Sequence, residues 1–218
     1  VSELKGMIAK DQTGMFSIVS QRGNKYIMVL YSYDSNGILA TGIKGRTGQE
    51  LVDGYNILYE RLIKAGVKPV IQRLDNEASK ALVKCIEEKG LKYQLASPYD
   101  HRLNPAERAI QTYKNHLISN LHGCDTEFPA SQWCRLIHQC EMTLNMLRRS
   151  RINPKLSAYT QLFGVFDYNE TPLAPLGTKE FVHKRANQRK SQADHGKIGY
   201  VIVPVSYTHL RAHETQLH

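Results

Sequence analysis

The chain has 218 residues, 41% of them hydrophobic, and its longest apolar runs, such as YIMVLY at 26–31, are strand-length and far short of a membrane span. Twenty-nine Lys and Arg against twenty Asp and Glu give a net charge of +9, a balance that favours a polyanionic partner, nucleic acid first. The four cysteines, Cys85, Cys124, Cys134 and Cys140, form no CxxC pair; no structural zinc site is expected, and we read reduced thiols in an intracellular protein.

No charged-then-apolar leader opens the chain, and Val1 in place of Met reads as a piece of something longer. Residues 5–18 suit a strand with a Gly-marked break. KYIMVLYSY (25–33) is rich in strand formers, DSNG (34–37) carries the Asn-Gly signal of a tight hairpin, and ILATGIK (38–44) returns as the partner strand. Together they predict an antiparallel meander.

The period then changes. Leu51, Tyr55, Leu58 and Leu62 share one helical face, Thr47 and Glu50 have capping-box spacing, and Gly66 is a plausible stop. A short buried strand at 67–75 precedes a helix from about Glu77, and a fifth strand covers 92–97. Helices follow at roughly 105–121 and 130–148. The second holds Cys134, His138 and Cys140, which are read as core and surface positions of an amphipathic helix. Strands joined through helices imply parallel pairing with right-handed crossovers. The expected fold is an α/β mixed five-stranded sheet flanked by helices. After about residue 165 the chain turns rich in Pro, Gly and basic residues, with short β-like pieces at 180–184 and 199–203.

Three carboxylates stand out in this order of elements. Asp11 sits in the first strand, Asp75 closes the fourth, and Glu107 opens the helix after the fifth. The first and fourth strands are natural central neighbours, so Asp11 and Asp75 could meet at one sheet edge with Glu107 lowered onto them. Clustered carboxylates repel, and divalent cations with hard oxygen ligands relieve that repulsion. Taken singly, each acid is more ordinary: Glu107 complements a helix dipole, and Asp75 caps the next helix.

The residues around these acids carry a resemblance. DQTGMF (11–16), RLDNEAS (73–79) and YQLASPYDHRLNPAERAIQTYKNHL (93–117) resemble, in order, three motifs of the integrase core of retroviruses and copia-type LTR retrotransposons. FPASQW, TLNMLRRS and NPKLSAYTQLFG resemble the closing segments of that core. The resemblance covers roughly residues 3–165 and implies a ribonuclease H-like fold with Asp11, Asp75 and Glu107 as its metal-binding catalytic triad. It further implies two Mg²⁺ (or Mn²⁺) ions, double-stranded DNA as partner, a homo-oligomer, action in the nucleus, and a reaction of 3′-end processing followed by strand transfer. The loop before Glu107 becomes a flap beside the site.

Lys114 and Gln111 share a helical face with Glu107 and are candidates for DNA contact, as are Asn76, beside Asp75, and Arg108. Two departures are visible: 31 residues separate Asp75 from Glu107, fewer than the family commonly has, and DNE replaces DNG, which puts Glu77 beside Asp75. The expected organisation is a core at 1–165, a basic extension at 166–203 similar to the start of a small β domain, and a tail at 204–218 that resembles translated adapter sequence. Two other readings remain: a ribonuclease H-type hydrolase, and a non-catalytic fragment that binds nucleic acid or pairs with another core.

Overall fold

A computed structural model describes residues 5–75, 79–95, 105–183 and 196–202. Three antiparallel strands come first, β1 (Met7–Gln12), β2 (Tyr26–Ser32) and β3 (Gly37–Ile43). Helix α1 (Gly48–Lys64) then leads to β4 (Ile71–Leu74), and α2 (Lys80–Glu88) to β5 (Lys92–Leu95). Helices α3 (Pro105–His122), α4 (Trp133–Leu147) and α5 (Ala158–Phe163) follow, and β6 (Lys179–His183) and β7 (Gly196–Tyr200) end the order. The main sheet runs β3-β2-β1-β4-β5, with β1–β4 and β4–β5 parallel and the other pairs antiparallel.

Each face of this sheet carries its own core. Strand alternation sends Ile8, Met28, Leu30 and Leu39 to the side covered by Tyr55, Leu58 and Leu62 of α1 and Leu82 and Ile86 of α2. It sends Ile27, Val29, Ile38 and Ala40 to the side covered by Tyr113 and Leu117 of α3 and Leu136 and Cys140 of α4. The result is a three-layer α/β/α arrangement. Helix α1 starts as its sequence dictates: the Glu50 amide donates to Thr47 Oγ1 at 3.3 Å, while Glu50 Oε2 accepts from the Thr47 amide at 3.1 Å. Gly66, with φ of 78°, ends it.

Several local expectations are corrected. The β2–β3 connection is not a two-residue Asn-Gly turn, because Ser32 pairs with Gly37 and the loop is Tyr33–Asn36. Asn36 takes the left-handed conformation, φ 56°, and is held there by the Tyr31 hydroxyl and by Arg148. Gly37 is needed for packing instead: a Cβ would stand 2.5 Å from Leu162 Cδ1 of α5. The first strand is also shorter than 5–18. Beyond Gln12 the regular pairing ends, though the Thr13 and Phe16 amides still donate to the Ile27 and Lys25 carbonyls, and the chain is pinned to α4, where Phe16 stacks on Trp133 at 4.6 Å and the indole donates to the Ile18 carbonyl. Helix α2 begins after Ser79, whose hydroxyl accepts from the Leu82 amide at 3.3 Å, so Asp75 is not its cap.

Strand β3 is an edge strand, and α4 closes it. Glu141 Oε2 accepts from the Ala40 amide at 2.8 Å, and Asn145 both accepts from the Ile38 amide and donates to the Ile38 carbonyl. Side chains one helical turn apart thus take the place of a sixth strand. Arg61 of α1 pairs with the buried Glu141 at 2.5 Å. The hairpin β6–β7 docks on the loop after α3, with Phe128 edge-on to Tyr200 at 5.5 Å and Leu176 buried in the α3–α4 core. Its strands begin one and three residues earlier than the sequence pattern suggested. Among the described residues no helix is long and apolar enough to cross a membrane.

Candidate active site

The register of the sheet brings the first two acids level. β1 and β4 pair as Met7↔Ile71, Ile8↔Gln72 and Ala9↔Arg73, and the same offset carried two residues on places Asp11 beside Asp75. Neighbouring strands lie about 4.8 Å apart. Both acids fall on the α3 side of the sheet, since Ile8 and Leu74, one residue out of phase with them, belong to the opposite core. Both are half-buried at the C-terminal ends of parallel strands, where open α/β sheets place their ligands.

Glu107 comes from the first turn of α3. That helix packs Ala106, Ala109, Tyr113 and Leu117 inward, which leaves Glu107, Gln111 and Lys114 on an exposed stripe beside the buried face. Gln111 donates to Asn115 at 3.1 Å. Arg108 is exposed and off that stripe, so it does not share a face with Glu107. Asn76, Glu77 and the loop 96–104 lie outside the described residues.

The electrostatics of Asp11 register all three acids. Burial pushes its carboxyl above the ordinary carboxylate range; the Gln12 amide, donating to Asp11 Oδ1 at 2.7 Å, and the Lys10 ammonium oppose this, and the charges of Asp75 and Glu107 add to it. Among the described residues, no three His, Cys, Asp or Glu side chains stand close enough together to hold one ion. The fold therefore sets Asp75 and Glu107 within electrostatic reach of Asp11. The donor set suits a hard cation, since all three groups are carboxylates.

Two features here escaped the sequence reading. Lys10 is 6% exposed, and burial lowers its pKa while Asp11 and Asp75 raise it. The visible signal was a Lys directly after the apolar run Met7–Ala9 and beside Asp11 in the same strand. Arg46 lies in the β3–α1 loop at the same end of the sheet, donates to the Thr13 carbonyl at 2.7 Å and stacks over Tyr26 at 4.8 Å. With the exposed Lys25 and Lys44 it forms a cationic rim.

Cys134 and Cys140 are core residues and His138 is exposed, as the amphipathic reading of α4 expects.

No protein family matches the chain, and no curated protein matches it. Solved structures do. The catalytic core domain of BIV integrase superposes with a TM-score of 0.53 at 16% identity, over 72% of this chain and 93% of that one. A chain of the simian T-cell lymphotropic virus intasome, solved in complex with the PP2A regulatory subunit B56 gamma, superposes with a TM-score of 0.56 at 14% identity, over 88% of this chain and 67% of that one. The architecture is ribonuclease H-like. Within that class, it is the fold of an integrase catalytic core.

Proposed function

We propose that the chain is a retrotransposon-type integrase core that performs metal-dependent DNA strand transfer. The observation that carries this reading is the level placement of Asp11 and Asp75 on neighbouring parallel strands, with the charge of Glu107 felt at Asp11. Two Mg²⁺ or Mn²⁺ ions held by Asp11, Asp75 and Glu107 would supply Lewis-acid activation of the attacking oxygen and charge stabilisation at the leaving one.

The chain's own groups bind and aim the substrate. Lys114 and Gln111, on the Glu107 stripe, take backbone phosphates of an element end; Arg108, Asn76 and the cationic rim of Lys25, Lys44 and Arg46 add further contacts. In processing, water attacks a phosphodiester near the 3′ end, and the bond to the 3′ oxygen breaks to leave a free 3′-OH. In joining, that hydroxyl attacks a target phosphorus, loses its proton to solvent, and expels the target's 3′ oxygen as a new hydroxyl. No covalent protein intermediate is required.

The likeness to a chain of an intasome supports an oligomeric, DNA-bound working form; action in the nucleus belongs to the same reading through the sequence resemblance alone. Residues 1–165 constitute the core in this reading, residues 166–203 a basic extension that includes β6–β7, and residues 204–218 a tail without a role.

The test is a strand-transfer assay on the purified chain with a short pre-processed DNA end and Mg²⁺ or Mn²⁺. Asp75→Asn and Glu107→Gln should each abolish joining. Joining that survives Glu107→Gln but not Glu77→Gln moves the third ligand to Glu77. Salt-sensitive DNA binding with no joining under any metal leaves a binding fragment. Cleavage of an RNA–DNA hybrid without joining makes the chain a ribonuclease H-type hydrolase.

A further inference from the structure

On the β3 edge of the sheet, away from β4 and β5, lies a cavity of about 400 Å³. Arg22 and Asn24 come to it from the β1–β2 loop, Thr41 from β3, Arg61 from α1, and Arg135 and His138 from one turn of α4. Gly42 lets the Asn24 side chain lie against β3: a Cβ there would stand 2.6 Å from Asn24 Nδ2. Neither Asp nor Glu lines the cavity. The acid nearest in the fold, Glu141, is 2% exposed and already bound by Arg61 at 2.5 and 2.9 Å, so its charge is spent on fixing that guanidinium.

Guanidiniums from three separate elements, the β1–β2 loop, α1 and α4, converge here. Arg61 is tied to Glu141, whereas Arg22 is exposed and Arg135 half-buried, and neither makes an ion pair among the described residues. A concave site with two free guanidiniums, one immobilised guanidinium, an imidazole and an amide is matched in shape and charge to a phosphodiester. The cavity is separate from the carboxylates. Ala40, on its wall, is in register with Val29, and Val29 with Asp11, so two strand spacings, roughly 10 Å, separate the rows. Helices α3 and α4 cover that interval.

We propose that this cleft is a second nucleic-acid contact, in which Arg22 and Arg135 hold a backbone phosphate of duplex DNA beside the fixed Arg61. The chain then grips DNA at two places on the same sheet, the carboxylate end and the β3 edge.

The experiment is a salt titration of binding between the full-length chain and a 20-bp duplex, with metal chelated so that the outcome is independent of strand transfer. Arg22→Ala/Arg135→Ala should bind more weakly and lose about 0.9 from the slope of log K against log salt, the loss of one phosphate contact. Arg22→Lys/Arg135→Lys should keep most of that slope. Removal of two exposed charges elsewhere, Lys68→Ala/Lys84→Ala, should leave it unchanged. If the alanine pair fails to fold, Arg22→Gln/Arg135→Gln, which keeps the side-chain bulk, takes its place. An unchanged slope in the cleft variant overturns the proposal. So does a slope loss equal to that of the Lys68/Lys84 control, or an unchanged slope with loss of self-association in sedimentation, which would make the cleft an interface between copies.

Discussion

Arg61 and Glu141, eighty residues apart in sequence, form an ion pair in which the carboxylate is 2% exposed and also accepts from the Ala40 amide of the edge strand. The pair ties α1, β3 and α4 together across the sheet edge. Removing one partner leaves a buried charge uncompensated, which typically costs about 3–5 kcal/mol. Arg61→Ala, which leaves the buried Glu141 carboxylate uncompensated, is expected to lower the unfolding free energy by that order, and Glu141→Ala by somewhat less because the Arg61 left behind keeps partial access to water. Asn145→Ala, which orphans the Ile38 amide and carbonyl, should cost ~1–3 kcal/mol. Equilibrium unfolding in urea checks all three.

Asp11 gives a pH dependence with a definite sign. Its carboxyl is held above the ordinary range, chiefly by burial, so the folded chain binds the proton more tightly than the unfolded one. Stability from this group is therefore greatest below the unfolded value, near 3.9, and falls as pH rises towards the folded value. Asp11→Asn should remove that decline and raise the melting temperature at neutral pH while abolishing joining. A melting temperature unchanged or lowered at pH 7 would contradict the electrostatic account of the site.

Divalent metal should stabilise the same group. At a free concentration of about ten times Kd, binding to the folded state adds ~1.4 kcal/mol, or roughly 3–6 °C for a chain of this size. Wild-type protein should show this shift with Mg²⁺ or Mn²⁺, and Asp11→Asn and Asp75→Asn should not. Thermal melting with and without chelator reads it without any assay of activity.

Gly37 is where a single methyl group should matter. The Cβ of Gly37→Ala would meet Leu162 at 2.5 Å, and overpacking of this kind costs ~1–3 kcal/mol. A second substitution, Leu162→Ala, should make the alanine at 37 tolerable, so the double variant should be more stable than the sum of the two singles. A double-mutant cycle of unfolding free energies tests the coupling.

Lys114 should behave as one phosphate contact. Lys114→Ala is expected to weaken binding of all duplex sequences alike and to reduce the salt slope by about 0.9. Sequence-dependent loss would instead mean that Lys114 reads bases.

Much of this fold is written in short-range patterns. Leu51, Tyr55, Leu58 and Leu62 repeat at helical spacing, Thr47 and Glu50 cap each other, and both behave in the structure as their spacing requires. The strand order followed from connection lengths, and with it the neighbouring places of β1 and β4 that set Asp11 beside Asp75. These features depend on residues a few positions apart, or on chirality rules that hold for every chain.

Tertiary structure alone decided the rest, because the partners are distant in sequence and no local pattern records them. Asn36 and Gly37 carry the signal of a tight turn, but Arg148 and Leu162, more than a hundred residues on, select a longer loop. Nothing in α4 announces that Glu141 and Asn145 complete the hydrogen bonding of β3; a helix-period reading sees only two polar residues on a mostly buried helix. The approach of Glu107 to Asp11, and the meeting of Arg22, Arg61 and Arg135 at one cleft, likewise exist only once the sheet has fixed the ends of its strands and the helices have packed across them.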